Sequence, residues 1–304
     1  MKVKVLSPSF SKNEKLLCKL IENFPDSESN FLGKRFNQDE LVEFINDAEG
    51  VIVGLEKIDK HVINACKKLK IISKYGVGLD NIDIEECNKK NIKVLCSNGT
   101  NSLSVAEMTL CFMLGLFRNI FFTSNDLKSG LWNKSGGNQL SSKIIGVIGV
   151  GNIGKQVIRL LKPFNCKILV NDIIDQKVFY YENGLYNKSK NEIFSEADLI
   201  TIHTPLTTQT EQLIDKKVLL SMKKSSFLIN TARGKIVIQE DLKFALTNNI
   251  IAGAAIDVFE DEPPTDSNFL QLPNLLCTPH IGGNAYEAVI RMGMDAIDNL
   301  KITY

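Results

Sequence analysis

The sequence predicts an α/β protein with parallel sheets, organised as two domains. Short apolar runs alternate with amphipathic helical patterns along the whole chain, which is the signature of βαβ units. The length, 304 residues, suffices for two cores of ordinary size. The alternation breaks once, near the middle, and then restarts.

In the first series, strands are expected at Val3–Leu6, Val51–Val53, Ile71–Ser73 and Ile92–Leu95. Helical patterns at Lys12–Glu22, Asp39–Ile45 and Lys60–Lys67 lie between them. The break is a helix over Ser102–Phe117, apolar on every side and therefore expected to be buried. The most apolar stretch, Leu103 to Phe122, is interrupted by Glu107 and Arg118, so a buried helix is preferred to a membrane span. A polar stretch from Ser124 to Ser142, with Gly130, Gly136 and Gly137, reads as a loop or arm. The single tryptophan, Trp132, sits in it as a local anchor or an interface residue.

The second series begins at Lys143. Strands are expected at Ile144–Ile148, Ile168–Asn171, Leu199–His203, Ser226–Ile229, Ile251–Ile256 and Leu275–Cys277. Helices are expected at Ile153–Leu161, Lys217–Met222 and Gln239–Leu246, with a final one over Ala285–Leu300.

Composition narrows the function classes. With 36 Lys+Arg against 35 Asp+Glu the net charge is +1, which argues against a broad nucleic-acid footprint. The seven cysteines are odd in number and scattered, with no CxxC pair, as in a reduced cytoplasmic protein rather than a disulfide or zinc scaffold. The N-terminus has no long apolar run of the signal-peptide kind. Only His61, His203 and His280 are available for histidine chemistry.

One motif carries a cofactor. Gly149-Val150-Gly151-Asn152-Ile153-Gly154 places GxGxxG between a predicted strand and a predicted helix. Gly149 permits the tight turn, Gly151 lets the backbone approach a pyrophosphate at the helix N-terminus, and Gly154 lets helix and strand pack closely. The next strand ends in Asp172, 18 positions after Gly154, close to the spacing for an acid that binds the adenosine ribose. A 2′-phosphate there would face a carboxylate, and Ile173 and Ile174 offer no arginine in compensation. NAD is therefore expected rather than NADP.

Three further segments place polar residues at strand ends: Asn230-Thr231-Ala232-Arg233-Gly234, Asp257 to Glu262-Pro263, and Thr278-Pro279-His280-Ile281-Gly282-Gly283. Taken singly, Arg233 and Glu262 read as surface charges and His280 as a loop histidine. Together they resemble the D-isomer-specific 2-hydroxyacid dehydrogenases, whose order of Arg, Glu before Pro, and His after Pro they match. The resemblance extends to Lys74-Tyr75-Gly76-Val77-Gly78-Leu79-Asp80-Asn81-Ile82-Asp83, to Asn101-Ser102-Leu103-Ser104-Val105-Ala106-Glu107, and to His203-Thr204-Pro205-Leu206-Thr207. It covers nearly the whole chain, and the Asn101–Glu107 run looks most like the phosphoglycerate dehydrogenase branch.

The resemblance implies two doubly wound domains, a Rossmann NAD-binding domain (99–283) inserted into a flavodoxin-like substrate domain (1–98 plus 284–304), with the active site in the cleft. It implies His280 as proton donor and acceptor, Glu262 as the partner that raises the histidine's pKa, and Arg233 as the holder of the substrate carboxylate. Substrate contacts are implied for Lys74, Tyr75, Gly76, Val77, Gly78 and Asn101, with Arg233 and His280. Cofactor contacts are implied for Gly149, Gly151, Asn152, Ile153, Gly154, Asp172, His203, Pro205, Thr210, Thr231, Asp257, Gly282 and Gly283. His61, in an amphipathic helix pattern, reads as ordinary surface.

The branch typically carries Arg where this chain has Lys74, which loosens the substrate assignment. A hydroxypyruvate or glyoxylate reductase of the same family, or an NAD-responsive corepressor-like binding protein without turnover, are the competing readings. Glu262 argues against formate-dehydrogenase-like activity, since that branch carries Gln there. A homodimer joined through the nucleotide domains is implied, with Ser102–Phe117 and the Trp132 arm as its interface. At 304 residues the chain is expected to hold the two catalytic domains and no C-terminal regulatory module.

Overall fold

The computed structural model describes residues 1–302. The chain divides into two compact units, Met1–Asn101 with Gly283–Tyr304, and Ser102–Gly282. The chain thus crosses between units after Asn101 and after Gly282, against the 98 and 283 expected from the sequence.

In the first unit five parallel strands, β1 (Val3–Val5), β2 (Glu28–Ser29), β3 (Gly50–Val53), β4 (Ile71–Lys74) and β5 (Lys93–Leu95), lie in the order β2-β1-β3-β4-β5. This is a doubly wound, flavodoxin-like order, which places a switch point between β1 and β3. The central strands β1, β3 and β4 are buried along their whole length, as parallel strands covered on both faces must be. One face is filled by Leu41, Ile45, Val62 and Ile63, and the other by Phe10, Leu16, Leu20 and the C-terminal helix Tyr286–Lys301. That helix is tied to the sheet by the Ser73 hydroxyl, which donates to the Ala296 carbonyl at 2.8 Å. The expected helix Lys12–Glu22 is the helix Glu14–Asn23, which starts there because Asn13 caps it by accepting from the Leu16 N–H; a separate short helix, Pro8–Ser11, precedes it.

The second unit is a seven-stranded parallel sheet: β6 (Ile144–Ile148), β7 (Lys167–Asn171), β8 (Tyr186–Asn187), β9 (Leu199–Ile202), β10 (Phe227–Asn230), β11 (Gly253–Ile256) and β12 (Leu275–Cys277). Its order, β12-β11-β10-β9-β6-β7-β8, reverses at β6, so β6 and β9 are neighbours whose following loops diverge to opposite faces. Ser102–Phe117 forms one helix, with Ala106, Phe112, Met113 and Leu116 packed into the same core as Val157, Ile158 and Leu161 of helix Asn152–Leu161. Among the described residues no single helix is long and apolar enough to cross a membrane.

The arm differs from expectation. A second helix, Ile120–Lys128, covers the start of the stretch read as loop. None of its residues is buried, so its polar side chains stand in solvent and the periodicity that marks a core-facing helix is lacking. Strands β2 and β8, two residues each at sheet edges, are too short to carry an alternating pattern and escaped the sequence reading.

Candidate active site

The glycine loop sits at the carboxyl end of β6. Gly149 has φ 93, and a Cβ there would stand 2.6 Å from the His203 carbonyl oxygen, so only glycine fits. A Cβ on Gly154 would stand 2.1 Å from the Gly149 carbonyl, which is the close helix–strand packing the motif demands. A Cβ on Gly151 would meet nothing within 4 Å. Gly151 is also the N-cap of Asn152–Leu161 and supplies no side-chain cap, so the first amides of that helix have no capping acceptor. An open cradle at a helix N-terminus suits a pyrophosphate.

Asp172, just past β7, closes the loop from below. Its Oδ2 accepts from the Val150 N–H at 2.6 Å and its Oδ1 from Ile174 at 2.8 Å. Each oxygen keeps a lone pair for a ribose hydroxyl. Gln176 adds a bond onto the Val150 carbonyl, 2.9 Å, which the sequence reading missed because a glutamine two turns away carries no motif.

His203 follows β9 and is buried. Its Nε2 pairs with the Thr201 hydroxyl at 2.9 Å. Its Nδ1 and the neighbouring Thr204 hydroxyl are buried without partners, two orphaned polar atoms beside the glycine loop that a bound nucleotide can satisfy. Burial pushes the His203 pKa down to about 3, so the ring is neutral and unsuited to proton transfer near pH 7. Pro205 and Thr210 belong to the exposed loop beyond, where the Thr210 hydroxyl donates to the Pro205 carbonyl at 2.6 Å. Thr231 is buried after β10, its hydroxyl 3.2 Å from that of Thr109.

The three strand-end segments converge within this unit. Asn230 folds the turn after β10: its Oδ1 accepts from the Ala232 N–H (3.0 Å) and its Nδ2 donates to the Arg233 carbonyl (2.9 Å). Gly234 lies against the backbone of the loop after β11; a Cβ there would stand 1.9 Å from the Phe259 carbonyl carbon. That approach brings Arg233 beside the segment carrying Glu262. Glu262 Oε1 accepts from the Phe259 N–H at 3.2 Å, and Oε2 contacts His280 Nδ1 at 2.7 Å. Burial pulls the Glu262 carboxyl pKa up. The His280 hydrogen bond and charge, the Phe259 amide and the Arg233 charge outweigh it, and the group ends below its usual value.

His280 has φ 53, the left-handed region that a non-glycine residue occupies only when its surroundings impose it. Asp257 imposes it. This carboxylate, 1% exposed, accepts from the Thr278 hydroxyl (2.6 Å) and from the amides of Ile281 (2.8 Å) and Gly282 (2.7 Å), on both sides of His280. Asp257, expected among the cofactor contacts, is bonded to the histidine loop.

In the first unit the expected substrate segment leaves β4. Gly76 has φ 129, and Gly76, Val77 and Gly78 are partly exposed. Lys74 and Tyr75 are both buried. The Lys74 ammonium is buried and donates to the Gly54 carbonyl and to Asn81 Oδ1. The Tyr75 ring is buried edge-on against Phe10, with centroids 5.4 Å apart. Asn101 and Gly283, at the two crossings, lie side by side; a Cβ on Gly283 would stand 2.7 Å from Asn101 Nδ2.

Comparisons with known proteins agree with this geometry. Residues 110–282 match the profile of the D-isomer specific 2-hydroxyacid dehydrogenase, NAD binding domain. The chain is 38% identical over 268 residues to D-3-phosphoglycerate dehydrogenase of Methanocaldococcus jannaschii, covering 87% of this chain and 51% of that protein. It is 35% identical over 277 residues to hydroxypyruvate reductase of Thermotoga maritima, covering 88% of each. The NAD-dependent formate dehydrogenase of Staphylococcus aureus, solved in complex with NAD, superposes with a TM-score of 0.87 at 31% identity, covering 100% of this chain and 95% of that one. The chain spans about half the length of several phosphoglycerate dehydrogenases that it matches. On this evidence the chain belongs to the D-isomer specific 2-hydroxyacid dehydrogenase family, and its second unit is that family's NAD-binding domain.

Proposed function

We propose that this chain is an NAD-dependent D-2-hydroxyacid dehydrogenase that interconverts a small 2-oxo acid and its D-2-hydroxy acid. The observation that carries the reading is the 2.7 Å contact between His280 Nδ1 and Glu262 Oε2, with Arg233 on the adjoining loop. The Gly149–Gly154 loop, Asp172 and the His203–Thr204 corner would hold NADH, which when bound would supply the hydride for C2 of the oxo acid. The remaining work falls to side chains. The Arg233 guanidinium, a permanent cation with a planar fork of donors, holds the substrate carboxylate and polarises the C2 carbonyl. With Nδ1 engaged by Glu262, His280 turns Nε2 to the substrate, delivers a proton to the nascent alkoxide, and takes it back in oxidation. Glu262 offsets the positive charge while the ring is protonated.

The substrate range we propose is that of the phosphoglycerate dehydrogenase, hydroxypyruvate reductase and glyoxylate reductase relatives. The test is loss of NADH absorbance with hydroxypyruvate, glyoxylate, pyruvate, 2-oxoglutarate and phosphohydroxypyruvate. At least one should be reduced, to the D-isomer where the product is chiral. A chain that binds NADH but reduces none of them is better read as an NAD-responsive binding protein.

The proposed setting is cytoplasmic, and the proposed assembly a homodimer formed through the arm. Ile120, Leu127, Leu131 and Trp132 are 52–79% exposed, more apolar surface than a solvated helix needs. Trp132→Asp should shift the sedimentation coefficient toward the monomer; an unchanged dimer would exclude the arm.

A further inference from the structure

Val150, the middle residue of the glycine loop, is held on three sides. Its side chain is fully buried. Its N–H donates to Asp172 Oδ2 at 2.6 Å, and its carbonyl accepts from Gln176 Nε2 at 2.9 Å. Asp172 and Gln176 stand at the two ends of the segment that joins β7 to the helix Lys177–Glu182, so one short loop grips both backbone groups of one residue. The same region is braced twice more. The Asp172 carboxylate also accepts from the Ile174 N–H, and the ammonium of Lys155, in the helix that the glycine loop opens, lies 5.1 Å from the centre of the Phe179 ring.

Gln176 breaks a local rule to make its bond. It is the N-cap of Lys177–Glu182, a position where Ser, Thr, Asp or Asn ordinarily caps, and it makes no side-chain cap bond there. Its amide group reaches 26 positions back along the chain instead. Asp172 follows from the cofactor motif, whereas Gln176 has no place in it. A residue that forgoes its own helix to hold a cofactor loop marks a functional demand on that loop.

We infer that Gln176 is a positioning residue for the cofactor: it fixes the Val150–Gly151 peptide and so aims the first amides of the helix Asn152–Leu161 at the pyrophosphate. A peptide unit is planar and trans, so pinning the Val150 carbonyl on Gln176 also sets the direction of the Gly151 N–H. Gly151 has no side chain to anchor that peptide, and Gly151 and Asn152 are both exposed, so packing does not hold it either. The Asp172 bond sets the peptide before Val150, and the Gln176 bond sets the one after it. Glutamine does this as a neutral donor. A carboxylate at 176 would face the carbonyl as a second acceptor and bring negative charge toward the pyrophosphate. Asp175, the remaining acid of the segment, is tied to Lys177 at 2.9 Å.

The experiment measures NADH affinity by fluorescence for the full chain, Gln176→Met and Gln176→Glu, with ADP and adenosine as competitors. Methionine keeps the length of the side chain and lacks the donor; glutamate keeps the shape and offers only acceptors near pH 7. Gln176→Met should raise Kd for NADH and for ADP by about tenfold, since it leaves the Val150 carbonyl unpaired and the peptide free to turn. Kd for adenosine, which has no pyrophosphate, should change little. Gln176→Glu should weaken NADH and ADP further. With a 2-oxo acid that the full chain reduces, KM for NADH should rise more than kcat falls. Circular dichroism shows whether each variant is folded, and either one alone decides the outcome. An equal loss for adenosine and ADP overturns the inference, because it marks a damaged site rather than a misaimed loop. The inference rests on NAD as the cofactor of this loop: a wild-type chain that does not bind NADH removes that reading, whereas unchanged NADH affinity in the variants removes this inference alone.

Discussion

The carboxyl edges of the two sheets come from the same βαβ construction and spend their polar groups in opposite ways. At the first edge part of the charge is turned inward. Lys74, Asn81 and Glu56 tie down backbone groups, and the tip they fix is leucine. At the second edge the backbone is tied down by other residues. Asp257 and Asn230 hold the loops, which leaves Glu262 and His280 at 33% and 35% side-chain exposure on a fixed frame. Both edges thus rest on buried polar groups that fix the loop backbone, and at the second a carboxylate and an imidazole stay partly exposed on that frame.

That contrast can be broken by experiment. If the second edge performs the bond chemistry, His280→Ala should lower kcat by about 10²- to 10⁴-fold for every substrate alike, the usual contribution of a positioned general acid–base. NADH should still bind, as followed by its fluorescence. Wild-type turnover in that variant would remove His280 from its role and erase the distinction between the edges.

A smaller effect separates the two histidines of the second unit. His203 is held neutral with a pKa of about 3 against an ordinary 6.5, so between those values the unfolded chain binds the proton and the folded chain does not. Folding stability due to this group is complete above pH 6.5 and is lost as pH falls toward 3, by about 1.4 kcal/mol per pH unit at most. In His203→Asn that slope should flatten in urea titrations followed by circular dichroism. An unchanged acid slope would mean that His203 is accessible to protons in the folded state.

Much of the second unit was legible before any coordinates. The turn at Gly149, the close packing at Gly154 and the apolar runs of β6 and β10 are local demands of the backbone, and local demands are written in residue type and spacing. The match of Arg233, Glu262 and His280 to one family depended only on order along the chain. The helix Ile120–Lys128 and the edge strands β2 and β8 were not legible, because surface helices and two-residue strands impose no periodic apolar pattern.

The sequence by itself determined the class of fold, the cofactor loop and the identity of the residues proposed for chemistry. Tertiary structure alone decided what each charge is for. Asp257 reaches amides 24 and 25 positions away, Lys74 turns into the core onto a carbonyl 20 positions back, and Gly234 yields to the backbone at Phe259. The direction a side chain takes from a strand end depends on which distant backbone groups are left unpaired there, and those are known only once the strands have been assembled side by side.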